Sequence, residues 1–236
     1  MNLEGGVPSH RNSNEQGYDL QRLERERLPK IEHDFLHIDG HDLEVLQSWF
    51  NYLQDILDDP ESYLDHGGAA IVFRINETIC IKMIINRHDA NNASMFNLGN
   101  TAEVEMRLQL HMSKITVGGV RCPVPILYLH GKKYHGIIME KVNAVNLQKC
   151  LNKEQEFPAS FDAQEFCFDL EEYIYEMNDV HDLAHGDLYP RNVMIDEITG
   201  KPIVIDFGRS KLKNELLKRD DKLKLNDLFA ILGIKN

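Results

Sequence analysis

"AHGDLYPRNVMIDEITGKPIVIDFGRS", Ala184 to Ser210, sets two carboxylates, Asp187 and Asp206, on either side of Asn192. Two β-like runs, VMI and PIVI, flank the turn DEITGK, so the stretch reads as a loop followed by a hairpin. Such a hairpin returns Asn192 and Asp206 to the same end, where an amide oxygen and a carboxylate can meet one divalent cation. Hard oxygen donors suit magnesium, which also keeps water and phosphate oxygens in its shell. Asp187 is then left to orient or deprotonate an incoming hydroxyl.

The 236-residue chain leaves room for two lobes around a cleft. Apolar residues at 42% and charged residues at 27% are ordinary globular proportions. The net charge of -12 argues against nucleic acid as the main partner, because gripping phosphates needs clustered Lys and Arg. One segment runs against that charge. Lys211 to Lys224 holds six basic and three acidic side chains, read either as a solvated helix face or as a patch for a phosphate or partner. Cys80, Cys122, Cys150 and Cys167 form no C-x-x-C pair and read as reduced core thiols. With neither a membrane-length apolar run nor the composition of a signal peptide, the expected location is cytoplasmic, and a non-cleaved secretion signal would leave no trace here.

Along the chain, residues 1–40 read as a tail and charged arm, with His33, His37 and His41 spaced for one helix face but interrupted by Gly40. Asp42 to Pro60 carries helical spacing at Leu46, Trp49, Phe50, Leu53, Ile56 and Leu57. From Leu64 the pattern turns to short β-like runs, AAIVFRI, TICIKMII, VPILYLHG and YHGIIMEKV. Between them, NTAEVEMRLQLHMSKI reads as a helix with Val104, Leu108 and Met112 on one face. After Val142 the chain becomes mostly helical. Its long helix opens on a capping box of Asp162 and Glu165 and buries Phe166, Leu170, Ile174, Met177 and Val180. The order predicts an α+β protein: a β-rich N-lobe over about 41–140, a linker at 140–142 and a helical C-lobe over 143–236.

His185, Asp187, Leu188, Asn192 and Asp206-Phe207-Gly208 resemble the paired H-R-D-L-x-x-x-N and D-F-G motifs of the protein kinase superfamily. The resemblance covers about Leu64 to Phe229 and implies a two-lobed kinase-like fold that uses ATP and magnesium. It makes LDHGGAAIVFRI a glycine-rich loop, with Gly67, Gly68 and Ala69 at the bend and Val72 over the adenine. It makes ICIK the strand of the phosphate-contacting Lys82, with Cys80 beside the nucleotide and a carboxylate from the next helix to hold the lysine. Glu105 and Glu103 are both candidates, and Glu105 is favoured because Leu108 and Met112 lie three and seven residues beyond it. GIIMEKV resembles a hinge, with Met139 at the gatekeeper position and backbone groups of Glu140 and Val142 available to adenine. Catalysis is thereby expected from Asp187, Lys82, Glu105 and Asn192, and metal binding from Asn192 and Asp206.

The departures narrow the resemblance. Asp65 and Ala70 stand where typical kinases carry the first and third glycines, Gly186 replaces the H-R-D arginine, and no A-P-E follows Gly208. Activation-loop phosphorylation is therefore not expected. Tyr189 occupies the usual lysine position, and Arg191 is either a replacement positive charge or an ordinary loop arginine. H-G-D with GGAAIVFR resembles RIO kinases, the KEOPS-complex kinase, lipopolysaccharide-type kinases and aminoglycoside phosphotransferases. The resemblance implies an atypical protein Ser/Thr kinase; the alternatives are a small-molecule phosphotransferase and a nucleotide- or partner-binding pseudokinase. Asp227 resembles the buried aspartate of the kinase F-helix, and only nine residues follow it. That shortness resembles effector kinases delivered by bacterial secretion systems and implies activation by a protein partner or polyanion at Lys211 to Lys224.

Overall fold

The computed structural model describes residues 56, 59–67, 70–85, 100–129 and 134–234. The arm expected over 1–40, its three histidines, the helix expected from Asp42 (apart from Ile56), and the loop residues Gly68 and Ala69 lie outside them.

The β-like runs form one antiparallel sheet of β1 (Tyr63–His66), β2 (Ala70–Arg74), β3 (Ile79–Ile85), β4 (Pro125–Leu129) and β5 (Tyr134–Glu140), in the order β1-β2-β3-β5-β4. Strand β3 is central and rich in β-branched residues, which suit a pleated, buried surface. Its side chains alternate between two apolar layers. Ile79, Ile81 and Met83 join Ile71, Phe73 and Ile138 on one face, with Ile56 packed against that cluster. Lys82 lies opposite Val72 and Ile137 in register, on the face where Ile84 and Ile137 pack against Ala102 and Met106.

Those last two residues belong to α1 (Ala102–Met112), whose N-cap Thr101 accepts the Val104 N–H. The helix turns Ala102, Glu105, Met106, Gln109 and Met112 inward. Val104, expected on the buried face, is 41% exposed. The buried stripe contains two polar residues that find partners there, so apolar periodicity alone misreads it by one position. Gln109 donates to the Pro123 carbonyl, and Glu105 meets Lys82.

The second half contains α2 (Leu147–Leu151), α3 (Ala163–Tyr175) and α4 (Glu215–Ile231). It also has a three-stranded sheet of β6 (Ala144–Asn146), β8 (Val193–Asp196) and β9 (Pro202–Val204), and the pair β7 (Leu183–Ala184) with β10 (Lys211–Leu212). Asp162 caps α3 by accepting the Gln164 and Glu165 N–H groups. The other half of the expected capping box is replaced, because the Glu165 carboxylate reaches Lys201 at 2.6 Å. Phe166, Leu170, Ile174 and Met177 are buried, but Val180 is 58% exposed. A π-turn over Glu176–Val180, with His181 N–H donating to Glu176 O, inserts a residue and rotates Val180 out of the stripe. Among the described residues no helix is long and apolar enough to cross a membrane.

Helix α4 supports the loop that carries Asp187, through a residue other than the one expected. Asp221 is fully buried and accepts the His185 N–H at 2.7 Å, the Gly186 N–H at 2.9 Å and the Asn178 amide at 3.3 Å. Asp227 is exposed. Six residues rotate a helical position by about 120°, so the two cannot share a face, and it is Asp221 that lines up with Leu225 and Leu228.

Two substitution pairs check these registers. Met106→Ala should cost about 2–5 kcal/mol in chemical denaturation, while Val104→Ala stays within about 0.5 kcal/mol. Asp221→Ala should cost about 1–3 kcal/mol or more, by stranding two buried N–H donors, and accelerate amide exchange at His185 and Gly186. Asp227→Ala should leave both measurements unchanged.

Candidate active site

Lys82 is the meeting point of three segments. Its ammonium lies 2.5 Å from Glu105 Oε1, brought by α1, and 2.9 Å from Asp206 Oδ1, brought by the turn after β9. Glu103, the other candidate, faces out and pairs with Arg107 at 3.1 Å. Burial disfavours the Lys82 charge, but the fields of Asp206 and Glu105 outweigh it and hold the ammonium above its ordinary pKa. Burial likewise pushes Asp206 up, yet Lys82, His185 and the Gly208 N–H bring its carboxyl down to about 2. Glu105 moves the other way: its deeper burial and the neighbouring Asp206 charge raise it against the pull of Lys82. One ammonium thus faces two carboxyl groups at the cleft.

Asp206 adopts a left-handed backbone, φ 66° and ψ 77°, unusual for a residue with a Cβ. Its surroundings fix it there. Its Oδ1 accepts the Gly208 N–H, and Asn100 binds the segment that follows, donating from its backbone to Gly208 O and from its amide to Phe207 O and Ser210 O. Gly208 is closely packed: a Cβ there would sit 3.1 Å from Asp206 Oδ1 and 3.2 Å from Glu105 Oε2, so both carboxylates would have to give by a few tenths of an ångström.

On the loop after β7, Asn192 donates its amide to Asp187 O at 2.7 Å and Asp187 Oδ2 at 2.9 Å. Asn192 O accepts the Ile205 N–H, which keeps this residue beside the turn carrying Asp206. Neither Asn192 Oδ1 nor Asp206 Oδ2 accepts a hydrogen bond from the described residues. An amide oxygen and a carboxylate oxygen from the two ends of one hairpin are hard donors of the kind that fit magnesium. Both Asp187 oxygens accept from one nitrogen of Arg191, Nη2, at 3.0 and 2.9 Å, and Arg209 Nη1 lies 3.5 Å from Oδ1. Gly186 is required by the same packing: its φ is +74°, and a Cβ would lie 2.6 Å from the Arg209 carbonyl.

The residues expected around a nucleotide distribute as follows. Val72 is half-buried opposite Lys82, and Gly67 donates its N–H to Ala70 O at the loop's closing end. Asp65, in the first glycine position, reaches Lys149 of α2 at 3.0 Å and so ties the loop to the helical half. Cys80 is buried, its thiol pushed up to about 12 by burial and directed at the Glu140 carbonyl, 3.6 Å away. Met139 is half-buried and touches Gln109. In the linker, Glu140 N–H donates to Val124 O and Lys141 N–H to Thr78 O, while the Val142 N–H donates to none of the described residues. The Glu140 carboxylate is engaged by Arg121 at 2.8 Å. Asn100, Arg209, Ser210 and Asp221 escaped the motif reading; only Asp221 left a signal, in its spacing from Leu225 and Leu228.

Comparison with known proteins gives a family model, the RIO domain, matching residues 82–228. No curated protein matches the chain. Among solved structures, that of monomeric WbdD is 18% identical, covers 69% of this chain and 37% of its own, and has a TM-score of 0.46. A high-resolution structure of WbdD is 17% identical, covers 70% and 37%, and scores 0.49. A third, titled as the bifunctional kinase-methyltransferase WbdD, is 19% identical, covers 68% and 35%, and scores 0.44. This chain therefore spans little more than a third of the length of those proteins. The motif spacing of the cleft and the match over residues 82–228 agree: the chain belongs to the RIO domain family of atypical protein kinases.

Proposed function

We propose that the protein transfers the γ-phosphoryl group of magnesium-ATP to a Ser or Thr hydroxyl of a protein. The observation that carries this reading is Lys82, held between Glu105 and Asp206 while Asp187 and Asn192 stand on the adjoining loop. Lys82 would neutralise the α- and β-phosphates, and Glu105 keeps its ammonium in position. Asn192 and Asp206 would hold magnesium, which when bound neutralises phosphate charge. Asp187 orients the acceptor hydroxyl and receives its proton, and Arg191 supplies the positive charge that a lysine at position 189 would have given. The adenine would lie between Val72 and the linker, with the Val142 N–H available to it.

The four cysteines are buried free thiols, which supports action in a reducing cytosol, the protein's own or that of a host cell receiving it as an effector. An activating partner at Lys211 to Lys224 would meet a smaller basic surface than the sequence implies. Lys211 is held by Asn100, Lys218 by Asp182 and Glu215, and Lys222 by Asp179, leaving Lys213, Arg219 and Lys224 to face a ligand.

The test is transfer of labelled phosphate from ATP to protein, with and without magnesium. Asp187→Ala should lower transfer about a hundredfold or more while nucleotide binding persists. Asp206→Ala should remove the magnesium dependence of nucleotide binding in calorimetry. Wild-type transfer by the first variant, or unchanged magnesium dependence in the second, would defeat the role given to that residue. Glu105→Gln should reduce turnover far more than Glu103→Gln, whose carboxylate only pairs with an exposed arginine.

A further inference from the structure

Two exposed guanidiniums converge on one carboxylate at the acceptor side of the cleft. Arg191 and Arg209 have side chains 54% and 56% exposed, and both approach Asp187, whose own side chain is 10% exposed. They come from different segments, the catalytic loop and the turn after Gly208, so a single helical repeat does not explain their meeting. Tyr189 extends the positive surface, with Arg191 4.5 Å and the Lys224 ammonium 4.7 Å from the centre of its ring. Asp220 and Asp227 act on Lys224 at longer range and temper its charge. Among the described residues Asp187 is the one carboxylate paired with the two arginines, so two guanidiniums share one negative charge.

This arrangement constrains the acceptor. A hydroxyl can be activated only by coming within hydrogen-bond reach of the Asp187 carboxylate, the atoms Arg191 and Arg209 approach. It therefore competes with Arg191 and Arg209 for the carboxylate's lone pairs. A neutral acceptor leaves the displaced guanidiniums with water alone, and a cationic acceptor adds repulsion from Arg191, Arg209 and Lys224. An acceptor carrying carboxylates beside its hydroxyl offers the arginines charge-assisted replacements as they leave Asp187. Among the described residues, Lys82, Glu105 and Asp206 bond to one another and not to Arg191 or Arg209, so the cation facing the phosphates is Lys82 and the arginines are left to the acceptor.

We infer that Arg191 and Arg209, with Lys224 at the rim, make the site selective for an acidic acceptor segment, a Ser or Thr flanked by carboxylate side chains. The inference rests on the protein-kinase reading and names the substrate class for it. Selection of this kind acts mainly through complementary charge, so it should weaken as salt screens it.

Three fluorescent peptides of equal length, each with one Ser flanked by Glu, Gln or Lys, separate the possibilities. Binding to the full chain with magnesium and a non-hydrolysable ATP analogue is read by anisotropy, and transfer from labelled ATP is read in parallel. The Glu peptide should bind about tenfold more tightly than the Gln peptide, the scale of one well-formed charge-assisted contact, and the Lys peptide least. Raising salt from about 0.05 to 0.5 M should compress the order. The double reversal Arg209→Glu with Lys224→Glu should invert it toward the Lys peptide, a result that loss of structure cannot produce; Arg209→Gln alone should flatten it. Equal binding of the Glu and Gln peptides by the wild type, or an order unmoved by charge reversal, overturns the inference. Selective binding of the Glu peptide without label on any peptide would retain it and sink the kinase reading instead.

Discussion

Everything in the cleft depends on one ammonium. Lys82 comes from the central strand, Glu105 from the helix across the sheet and Asp206 from the hairpin of the other half, and their only common requirement is the charge on Lys82. A buried ammonium is costly unless paired, and a single carboxylate would have neutralised it. The second carboxylate changes the balance: two carboxylates from different halves of the chain share one ammonium. Position and charge are thereby set by the same contacts, because moving α1 or the Asp206 turn would both misplace and unbalance Lys82.

Holding Asp206 there requires a backbone that ordinary residues avoid, on the order of 1–3 kcal/mol of strain for a non-glycine left-handed conformation. The strain is offset locally by the Lys82 contact and the Gly208 N–H, and Asn100 immobilises the next residues from the start of α1. Asn100 directly precedes the helix that carries Glu105, so one segment fixes both carboxylates of the Lys82 cluster. Asp221 plays the matching part for Asp187, since its two oxygens take the N–H groups of His185 and Gly186, immediately before it.

Motifs were legible because their chemistry fixes both identity and spacing: Asp187, Asn192 and Asp206 could be picked out from a single loop and hairpin, and Lys82 from the strand upstream. Two of the errors share one physical origin. Periodicity places Val104 and Val180 on a buried face, and each sits where a polar or geometric feature shifts that face. Glu105 and Gln109 are buried polar residues that apolar counting skips. The π-turn after Tyr175 adds a residue that no composition announces. Asp227 is a different case: it rests on a resemblance to the kinase F-helix aspartate, and Asp221 is the acid that shares a stripe with Leu225. Contacts such as Asn100 with the Asp206 turn, or Arg209 with Asp187, join residues distant in sequence by side-chain chemistry that carries no local pattern.

The replacement of the H-R-D arginine by Gly186 acquires a reason at the level of packing. In kinases that use that arginine, the resemblance makes it a dock for a phosphorylated activation segment. Here the Gly186 position is closed, because any Cβ would collide with the Arg209 carbonyl, and the segment after Gly208 is held by backbone pairing instead. Lys211 and Leu212 pair with Ala184 and Leu183, Ser210 donates its hydroxyl to His185 O, and the Lys213 N–H donates to Asp182 O. Helix α4 begins at Glu215, so these bonds span nearly all of the chain between the Asp206 turn and the helix. A phosphate would have little loose segment left to order. The same tight return brings Arg209 to within 3.5 Å of Asp187 Oδ1, so the pairing that holds this segment also sets a second guanidinium beside that carboxylate.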